Sequence, residues 1–291
     1  MNSRLRGYVS IFTAAFFWGS SATAAKFLFQ HDISPMLIVQ SRVIVTAFFL
    51  TMVLLFLNRK LLHVSLRDLT DFALLGVIGV AGANYAYYMA IQATNVGIAI
   101  LLQYTAPAIV AVYMLLSRQE KISRVKTLAI VLSLGGSAIM LGAFSPDVHI
   151  TTVGILFGVA SAICFAFFNV YNKVAGKHYS VWTAVTWTLI CAGLFWIAVD
   201  ILGRTDLTPI GYPELSILTG FSFSSVLIPY YFYFTGLKHL AASTAIIVST
   251  LEPVVAICTS FIFLGEKMEV FQIAGGIFIV SAVVLLEVFR E

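Results

Sequence analysis

Long apolar runs follow one another along almost the whole chain, separated by short polar stretches. Each run is close to the roughly 20 residues that a helix needs to cross the hydrocarbon core of a bilayer. The alternating pattern of a membrane barrel strand is absent, and open strands would leave backbone groups unpaired in lipid. The pattern predicts an all-α membrane protein with ten transmembrane helices. The predicted spans lie near Gly7–Phe29, Pro35–Leu57, Leu69–Ile91, Asn95–Ser117, Ser123–Ala143, Thr151–Lys173, Val181–Leu202, Pro213–Gly236, Ala242–Leu264 and Val270–Phe289.

Composition agrees with a chain that lies in lipid. Its 291 residues are 60% hydrophobic and 10% charged, and so little sequence separates the runs that a separate soluble domain is excluded. Arg4 and Arg6 precede the first run as in a secretion signal, but that run is too long for a typical signal core. Cys164, Cys191 and Cys258 are far apart and predict neither a disulfide nor a metal site. No cofactor is expected.

The basic residues between the runs predict the orientation of the chain. If the N-terminus is cytoplasmic, the outer loops hold only Arg204 and Lys267, whereas most other basic residues fall in the inner loops. The positive-inside rule favours this arrangement. We therefore expect an integral protein of the plasma or inner membrane with both termini in the cytoplasm. The net charge of +4 then reflects topology and anionic lipid, and no nucleic-acid partner is expected.

A weak internal repeat runs through the sequence. A shift of 146 residues aligns Tyr85 with Tyr231, Tyr87 with Tyr233, Pro107 with Pro253 and Glu120 with Glu266. Each half would hold five helices, and an odd number makes the second half enter the bilayer from the opposite side. The sequence thus predicts two inverted five-helix repeats, residues 1–146 and 147–291. Inverted repeats are a recurring basis of alternating access, so this feature favours a transporter.

Several short motifs resemble the drug/metabolite transporter superfamily, in particular its EamA-type branch. They are Phe17-Trp18-Gly19-Ser20 with Lys26, Pro35, Arg42, Tyr104-Thr105-Ala106-Pro107, Leu251-Glu252-Pro253, Leu264-Gly265-Glu266-Lys267 and Gly275-Gly276. The resemblance covers essentially the whole chain. It implies ten helices around a central cavity and transport of amino acids, quaternary amines, nucleosides, sugars or other metabolites. The first half departs from the pattern at Ala106, where many relatives have an acid, and at Arg118-Gln119, so a symmetric pair of acids is ruled out.

Three charged residues within the spans are candidates for coupling or gating. Glu252 lies about ten residues from the cytoplasmic end of the ninth span, close to the midplane at about 1.5 Å per residue. It could bind a cation, carry a proton, or satisfy backbone groups that Pro253 frees. Arg42 lies near the outer end of the second span, where its side chain could snorkel to the interface. Its functional alternatives are a contact with the substrate and a link to Glu252. Lys26 is an anchor or a gate at the outer rim.

Aromatic and amide side chains are the candidates for substrate binding. Tyrosine rings bind apolar or cationic ligands through their faces and orient polar ligands through their hydroxyls, which would suit an aromatic or quaternary-amine substrate. The alternative is that they pack between helices or form interfacial belts. The candidates are Trp18, Asn84, Tyr85, Tyr87, Tyr88, Gln103, Tyr104, Asn169, Tyr231 and Tyr233.

These features predict a secondary-active transporter that moves a small organic metabolite, an amino acid or amine-like solute, by alternating access, with export as the expected direction. Coupling to protons and exchange of solutes remain alternatives, as do a monomer and a homodimer. A facilitative channel and a membrane receptor or scaffold are the other readings. A membrane enzyme is disfavoured, since the sequence shows no acidic pair deep in a span and no nucleotide or metal motif.

Overall fold

The protein is helical wherever its structure is described. The computed structural model describes residues 3–29, 35–94, 96–142, 151–202, 212–265 and 267–289, and every regular element in these ranges is a helix. The α-helices are α1 (Ser3–Phe29), α2 (Pro35–Leu57), α3 (Leu66–Leu74), α4 (Ala83–Ala93), α5 (Val96–Gln103), α6 (Ala106–Leu116), α7 (Arg124–Met140), α8 (Thr152–Ala175), α9 (Val181–Ile201), α10 (Tyr212–Ser222), α11 (Ile228–Leu237), α12 (Ala242–Ser249), α13 (Glu252–Leu264) and α14 (Val270–Val288). The predicted all-α class is confirmed.

Eight helical segments of the described chain are long and apolar enough to cross a membrane. They are Met36–Leu57, Leu66–Ala93, Gly97–Leu116, Thr152–Ala175, Val181–Ile201, Leu215–Leu237, Ala242–Leu264 and Val270–Val288. The first and fifth predicted spans correspond to α1 and α7. Helix α7 is short at 17 residues, and α1 is interrupted by serines, threonines and Trp18. The count of ten spans therefore stays a prediction.

Two spans are broken at matching places in the chain. Helix α5 ends at Gln103 and α12 at Ser249, and each break is followed by a helix with proline at its second position. Proline has no N–H and its ring clashes with the carbonyl group four residues earlier, so a helix ends there. The third and eighth predicted spans also share an irregularity, a π-helical segment at Leu75–Gly82 and at Phe223–Leu227. The predicted boundary between the halves, at residue 146, lies outside the described residues.

Helices of the first half pack mainly on helices of the second half. Helix α1 contacts α11, α12 and α13, helix α8 contacts α4, α5 and α6, and α9 contacts α2. Polar side chains of α1 find partners across this contact, since the Thr23 hydroxyl donates to the Ala256 carbonyl at 3.1 Å and lies 2.7 Å from the Thr259 hydroxyl. Large apolar side chains such as Phe48 and Phe56 are exposed on the outside, where lipid would cover them.

The contact between α7 and α14 is made by backbone against backbone. A Cβ atom added at Gly136 would lie 2.6 Å from the carbonyl oxygen of Gly275, and one added at Gly275 would lie 2.4 Å from that of Gly136. Small residues let membrane helices approach closely, and van der Waals packing there replaces the hydrophobic drive that lipid removes. The neighbouring Gly135 has nothing within 4 Å of its added Cβ.

We expect Gly136→Ala to destabilise the protein by about 1–3 kcal/mol, because the added methyl group forces α7 away from α14. Thermal unfolding in detergent measures the change. The matched control is Gly135→Ala, one residue away on the same helix, which should unfold near the wild-type temperature. Equal melting temperatures for the two variants would contradict the close contact.

Candidate functional site

An arginine and an acid from different helices, both inside the bundle, form the centre of the candidate site. Arg42 of α2 donates from an Nη atom to the Oδ1 atom of Asn84 at 2.9 Å, and the Nδ2 atom of Asn84 donates to the Val80 carbonyl at 2.7 Å. Val80 belongs to the π-helical segment that precedes α4. The irregular backbone thus fixes the amide group that holds the guanidinium.

Glu252 is the first residue of α13, directly after the break in the ninth predicted span. The Tyr104 hydroxyl donates to its carboxylate, and the charge of Arg42 acts on it electrostatically. The N-terminal end of a helix carries a partial positive charge, which also stabilises a carboxylate there. Helix α1 crosses this position at Gly19, where an added Cβ would lie 2.5 Å from the Glu252 carbonyl oxygen.

Aromatic rings surround the two charges. The Trp18 ring lies 5.7 Å from that of Tyr230, edge to face, and 5.0 Å from that of Tyr233. Phe168 packs against both tyrosines, with ring centres 5.8 and 5.9 Å away. The Tyr233 hydroxyl donates to the Oδ1 atom of buried Asn169. These contacts form a wall of packed aromatic rings, one of which is held by a buried hydrogen bond.

The structure brings most of the candidate residues together. Those at or against the central site are Trp18, Arg42, Asn84, Tyr87, Tyr104, Asn169, Tyr233 and Glu252. Tyr87 contributes through its electrostatic interaction with both Arg42 and Glu252. The described neighbours of Arg42 and Glu252 thus come from several different helices.

Four candidates make their described contacts with residues outside this group. Tyr85 is 38% exposed, and its ring faces those of Phe157 and Trp196. Tyr231 stacks on the exposed Trp182 at 4.3 Å.

The remaining two of these four make polar contacts elsewhere. Tyr88 accepts a hydrogen bond from exposed Gln92, and Gln103 donates to the Ser161 hydroxyl at 2.8 Å. Their substrate role, like that of Tyr85 and Tyr231, stays a prediction that their placement does not support. The Lys26 side chain lies outside the described residues, so its gating role also stays a prediction.

Tyr230 and Phe168 belong to the site but were not among the sequence candidates. Tyr230 hydrogen-bonds with Asn84 and matches it at the 146-residue shift. A spacing of three places Tyr230 and Tyr233 on one face of α11, whereas Tyr231 points about 100° away. Helical spacing within the aromatic group was the signal that could have selected Tyr230.

The two sides of the central site are packed differently. Toward the predicted cytoplasmic side, an apolar cluster of α6, α8 and α12 is buried, formed by Ala106, Val110, Met114, Ala162, Ala166, Ala242 and Ile246. Toward the predicted outer side, a cavity of about 590 Å³ lies between α1, α10 and α13 and is lined in part by Ser20, Thr23 and Phe221. Exposed residues such as Ile217 and Phe263 also line it, and Arg42 and Glu252 do not. Among the described residues, no group of His, Cys, Asp and Glu side chains could hold a metal ion.

Apolar helices around an enclosed charged site with broken helices define an integral membrane transport protein. The EamA-like transporter family matches this chain over residues 5–142 and 152–288, and the chain belongs to that family. The resemblance seen in the sequence motifs is thereby confirmed. Family and relatives point to transport and not to catalysis.

Individual relatives agree with this assignment. An inner membrane transporter of Salmonella typhimurium strain LT2, YicL, is 22% identical over 293 residues, covering 98% of this chain and 96% of that protein. The threonine/homoserine exporter RhtA of Escherichia coli strain K12 is 27% identical over 221 residues, covering 74% of this chain and 70% of the exporter. A crystal structure with 16% identity and a TM-score of 0.83, covering 98% of both chains, has the same fold.

We expect the buried hydrogen bond between Tyr233 and Asn169 to hold the aromatic wall in place. Asn169→Ala removes the Oδ1 acceptor of the Tyr233 hydroxyl and leaves Ser249 as its other hydrogen-bond partner. Loss of this buried acceptor costs about 1–3 kcal/mol of stability. A double-mutant cycle with Tyr233→Phe, read by thermal unfolding, should give a coupling energy of at least about 0.5 kcal/mol. Strictly additive effects of the two substitutions would show that the contact does not stabilise the fold.

Proposed function

We propose that this protein is a secondary-active transporter of a small organic metabolite, amino-acid-like or amine-like, which works by alternating access. The observation that carries the proposal is the pair of opposite charges, Arg42 and Glu252, inside one aromatic site within the bundle. Both side chains are half-buried, and among the described residues no ion pair joins them. Ionisable groups at this depth are costly and mark substrate or ion pathways.

The chemistry of the site suits a solute that carries an ammonium group. The Glu252 carboxylate can pair with it, and the faces of Trp18 and Tyr230 can attract a cation while they cover the apolar part of the solute. RhtA is named as a threonine/homoserine exporter. That relationship supports an amino acid as the solute and export as the direction.

Alternating access is supported by the packing on one side of the site. The buried apolar cluster of α6, α8 and α12 lies between the site and the predicted cytoplasm. The matched helix breaks after Gln103 and Ser249 support two related halves that exchange conformations. In an inverted arrangement, the second conformation would pack the outer side and open the inner side.

The charge distribution supports the proposed placement in the cell. Basic residues concentrate in the predicted inner loops, and the relative YicL is described as an inner membrane transporter. We therefore place both termini in the cytoplasm and the protein in the inner or plasma membrane.

Glu252 is the proposed carrier of the coupling proton. We expect Glu252→Gln to keep the shape of the site and to abolish uphill transport driven by a pH gradient, because the amide cannot release a proton. Solute exchange should persist with weaker apparent affinity, because a neutral amide pairs less strongly with the ammonium group than a carboxylate does. Reconstituted vesicles with and without an imposed pH gradient measure both activities.

The matched control is Glu287→Gln, which removes an exposed acid that pairs with Arg4 at 3.8 Å near the end of the chain. This variant should keep gradient-driven transport. If Glu252→Gln transports uphill as well as the wild-type protein does, Glu252 only supports the helix break at Pro253. If flux through the wild-type protein does not saturate with solute concentration, the protein is a channel.

A further inference from the structure

The guanidinium group of Arg42 has more donors than the protein uses. One Nη atom donates to Asn84, whereas the Nε atom is buried and has no hydrogen-bond partner among the described residues. The electrostatic neighbours of the guanidinium are the hydroxyl-bearing rings of Tyr230 and Tyr87 and, more weakly, Glu252. A buried cationic donor without an acceptor is costly, so such a group is expected where an anionic partner binds it in function.

Only a few kinds of solute fit both charges of the site. A simple amine would pair with Glu252 but would bring a second cation near Arg42. A neutral sugar or nucleoside would offer neither a carboxylate to Arg42 nor an ammonium group to Glu252. A zwitterion supplies a carboxylate for the planar fork of the guanidinium, which binds carboxylates through two parallel hydrogen bonds, and an ammonium group for Glu252.

We propose that Arg42 is the carboxylate-binding residue of the central site and that the solute is therefore a zwitterionic amino acid. This inference rests on the proposed transport function and narrows its solute class. Glu252, held by the Tyr104 hydroxyl, takes the ammonium group. The side chain of the amino acid lies along Trp18 and Tyr230, whose rings contact each other at 5.7 Å.

Thermal unfolding of the purified full-length protein with matched probes tests this assignment. The probes are the twenty standard amino acids, each compared with its decarboxylated amine, its methyl ester and its deaminated acid. We expect at least one amino acid to stabilise the protein. The amine and the methyl ester of that amino acid should bind at least about tenfold more weakly, because each lacks the carboxylate that pairs with Arg42.

Variants separate the two ends of the solute. Arg42→Gln should weaken amino-acid binding at least about tenfold without weakening amine binding, whereas Glu252→Gln should spare the deaminated acid. Arg42→Lys keeps the charge and should recover part of the affinity, which covers the case that Arg42→Gln does not fold. Arg59→Gln is the matched control. Arg59 is an exposed arginine just beyond α2, and its Nε atom donates to the nearby Leu55 carbonyl.

The outcomes distinguish this inference from the proposed function. If amine and amino acid bind equally to the wild type, or if Arg42→Gln and Arg42→Lys keep the discrimination, the carboxylate role of Arg42 is overturned and transport of another solute stands. If no probe stabilises the wild type and vesicles show no uptake of any of them, both proposals fail.

A separate cluster of polar contacts closes the bundle at the predicted cytoplasmic end. The Glu120 carboxylate, in the connection between α6 and α7, accepts hydrogen bonds from the Ala242 N–H at 3.1 Å and from the Ser243 hydroxyl. The Lys126 ammonium lies 3.4 Å from the same carboxylate, and the side chains of the acid and the lysine are only 14% and 7% exposed. One acid thus joins a loop of the first half to the start of α12 in the second half.

Two described positions that match this cluster differ from it in chemistry. At the 146-residue shift, Ser243 corresponds to Gly97 and Lys126 to Gln272. Gly97 has no hydroxyl, and the Gln272 side chain is neutral and accepts from the Glu269 N–H at 3.0 Å. A charge-assisted, nearly buried contact is roughly twice as strong as a neutral hydrogen bond, so Glu120 makes a strong polar contact between the two halves at the cytoplasmic end.

We infer that Glu120 is a latch that holds the cytoplasmic side of the bundle closed. The latch lies at the same end of α6 and α12 as the apolar cluster containing Val110 and Ile246. Opening the site to the cytoplasm must separate α6 from the start of α12, which breaks the contacts of Glu120 with Ala242 and Ser243.

Cysteine labelling from each side of the membrane tests the latch. In a variant without Cys164, Cys191 and Cys258, a Val110→Cys probe is treated with a membrane-impermeant maleimide in vesicles of known orientation. Glu120→Gln and Ser243→Ala should each raise labelling from the cytoplasmic side several-fold. Ser243→Ala removes a single hydrogen bond and keeps the test valid if Glu120→Gln folds poorly.

The matched control is Glu269→Gln, which removes an acid that caps α14 at the predicted outer end. It should leave cytoplasmic labelling of the probe unchanged. The latch is overturned if labelling is unchanged in both latch variants, or if Glu269→Gln raises cytoplasmic labelling as much as they do. It is also overturned if labelling rises from the outer side instead.

Discussion

Backbone hydrogen bonding in lipid is the constraint on which this structure depends. A helix that stops inside the membrane leaves N–H and C=O groups that no water can reach, so irregular backbone is tolerated only where protein surrounds it. The breaks before Pro107 and Pro253 meet this condition because α1, α8 and α12 pack against them. The same breaks place Tyr104 and Glu252 beside each other at the ends of short helices. The chemistry of the site thus depends on side chains that the two helix breaks bring together.

The π-helical segments extend this connection between irregular backbone and function. The segment Leu75–Gly82 carries the carbonyl group that orients Asn84, and Asn84 in turn holds Arg42. The segment Phe223–Leu227 precedes the helix that presents Tyr230 and Tyr233. Polar and charged groups in the bilayer therefore sit next to the places where the helices deviate from regular geometry. In physical terms, each deviation supplies the hydrogen-bonding groups that a regular helix would keep for itself.

The membrane helices and the two central charges could be predicted because both are evident from the order of residues alone. Apolar runs of membrane length are rare outside membrane spans, and Arg42 and Glu252 stand out as charges inside such runs. The orientation of the tyrosines was not predictable in the same way. A π-helical turn shifts the phase of the helical repeat, so the face of α4 and α11 that points inward depends on an irregularity that the residue pattern does not reveal. Tyr85 and Tyr231 were candidates through their matching positions, but they lie at the periphery.

The interleaving of the two halves has a consequence for how the protein is made. Helix α1 is synthesised long before its partners α11, α12 and α13. Until they arrive, Thr23 lacks the Ala256 and Thr259 groups to which it bonds in the finished bundle. The nascent first half must therefore remain in the membrane with these polar side chains uncovered. The contacts of α1 can form only after α11, α12 and α13 have entered the bilayer.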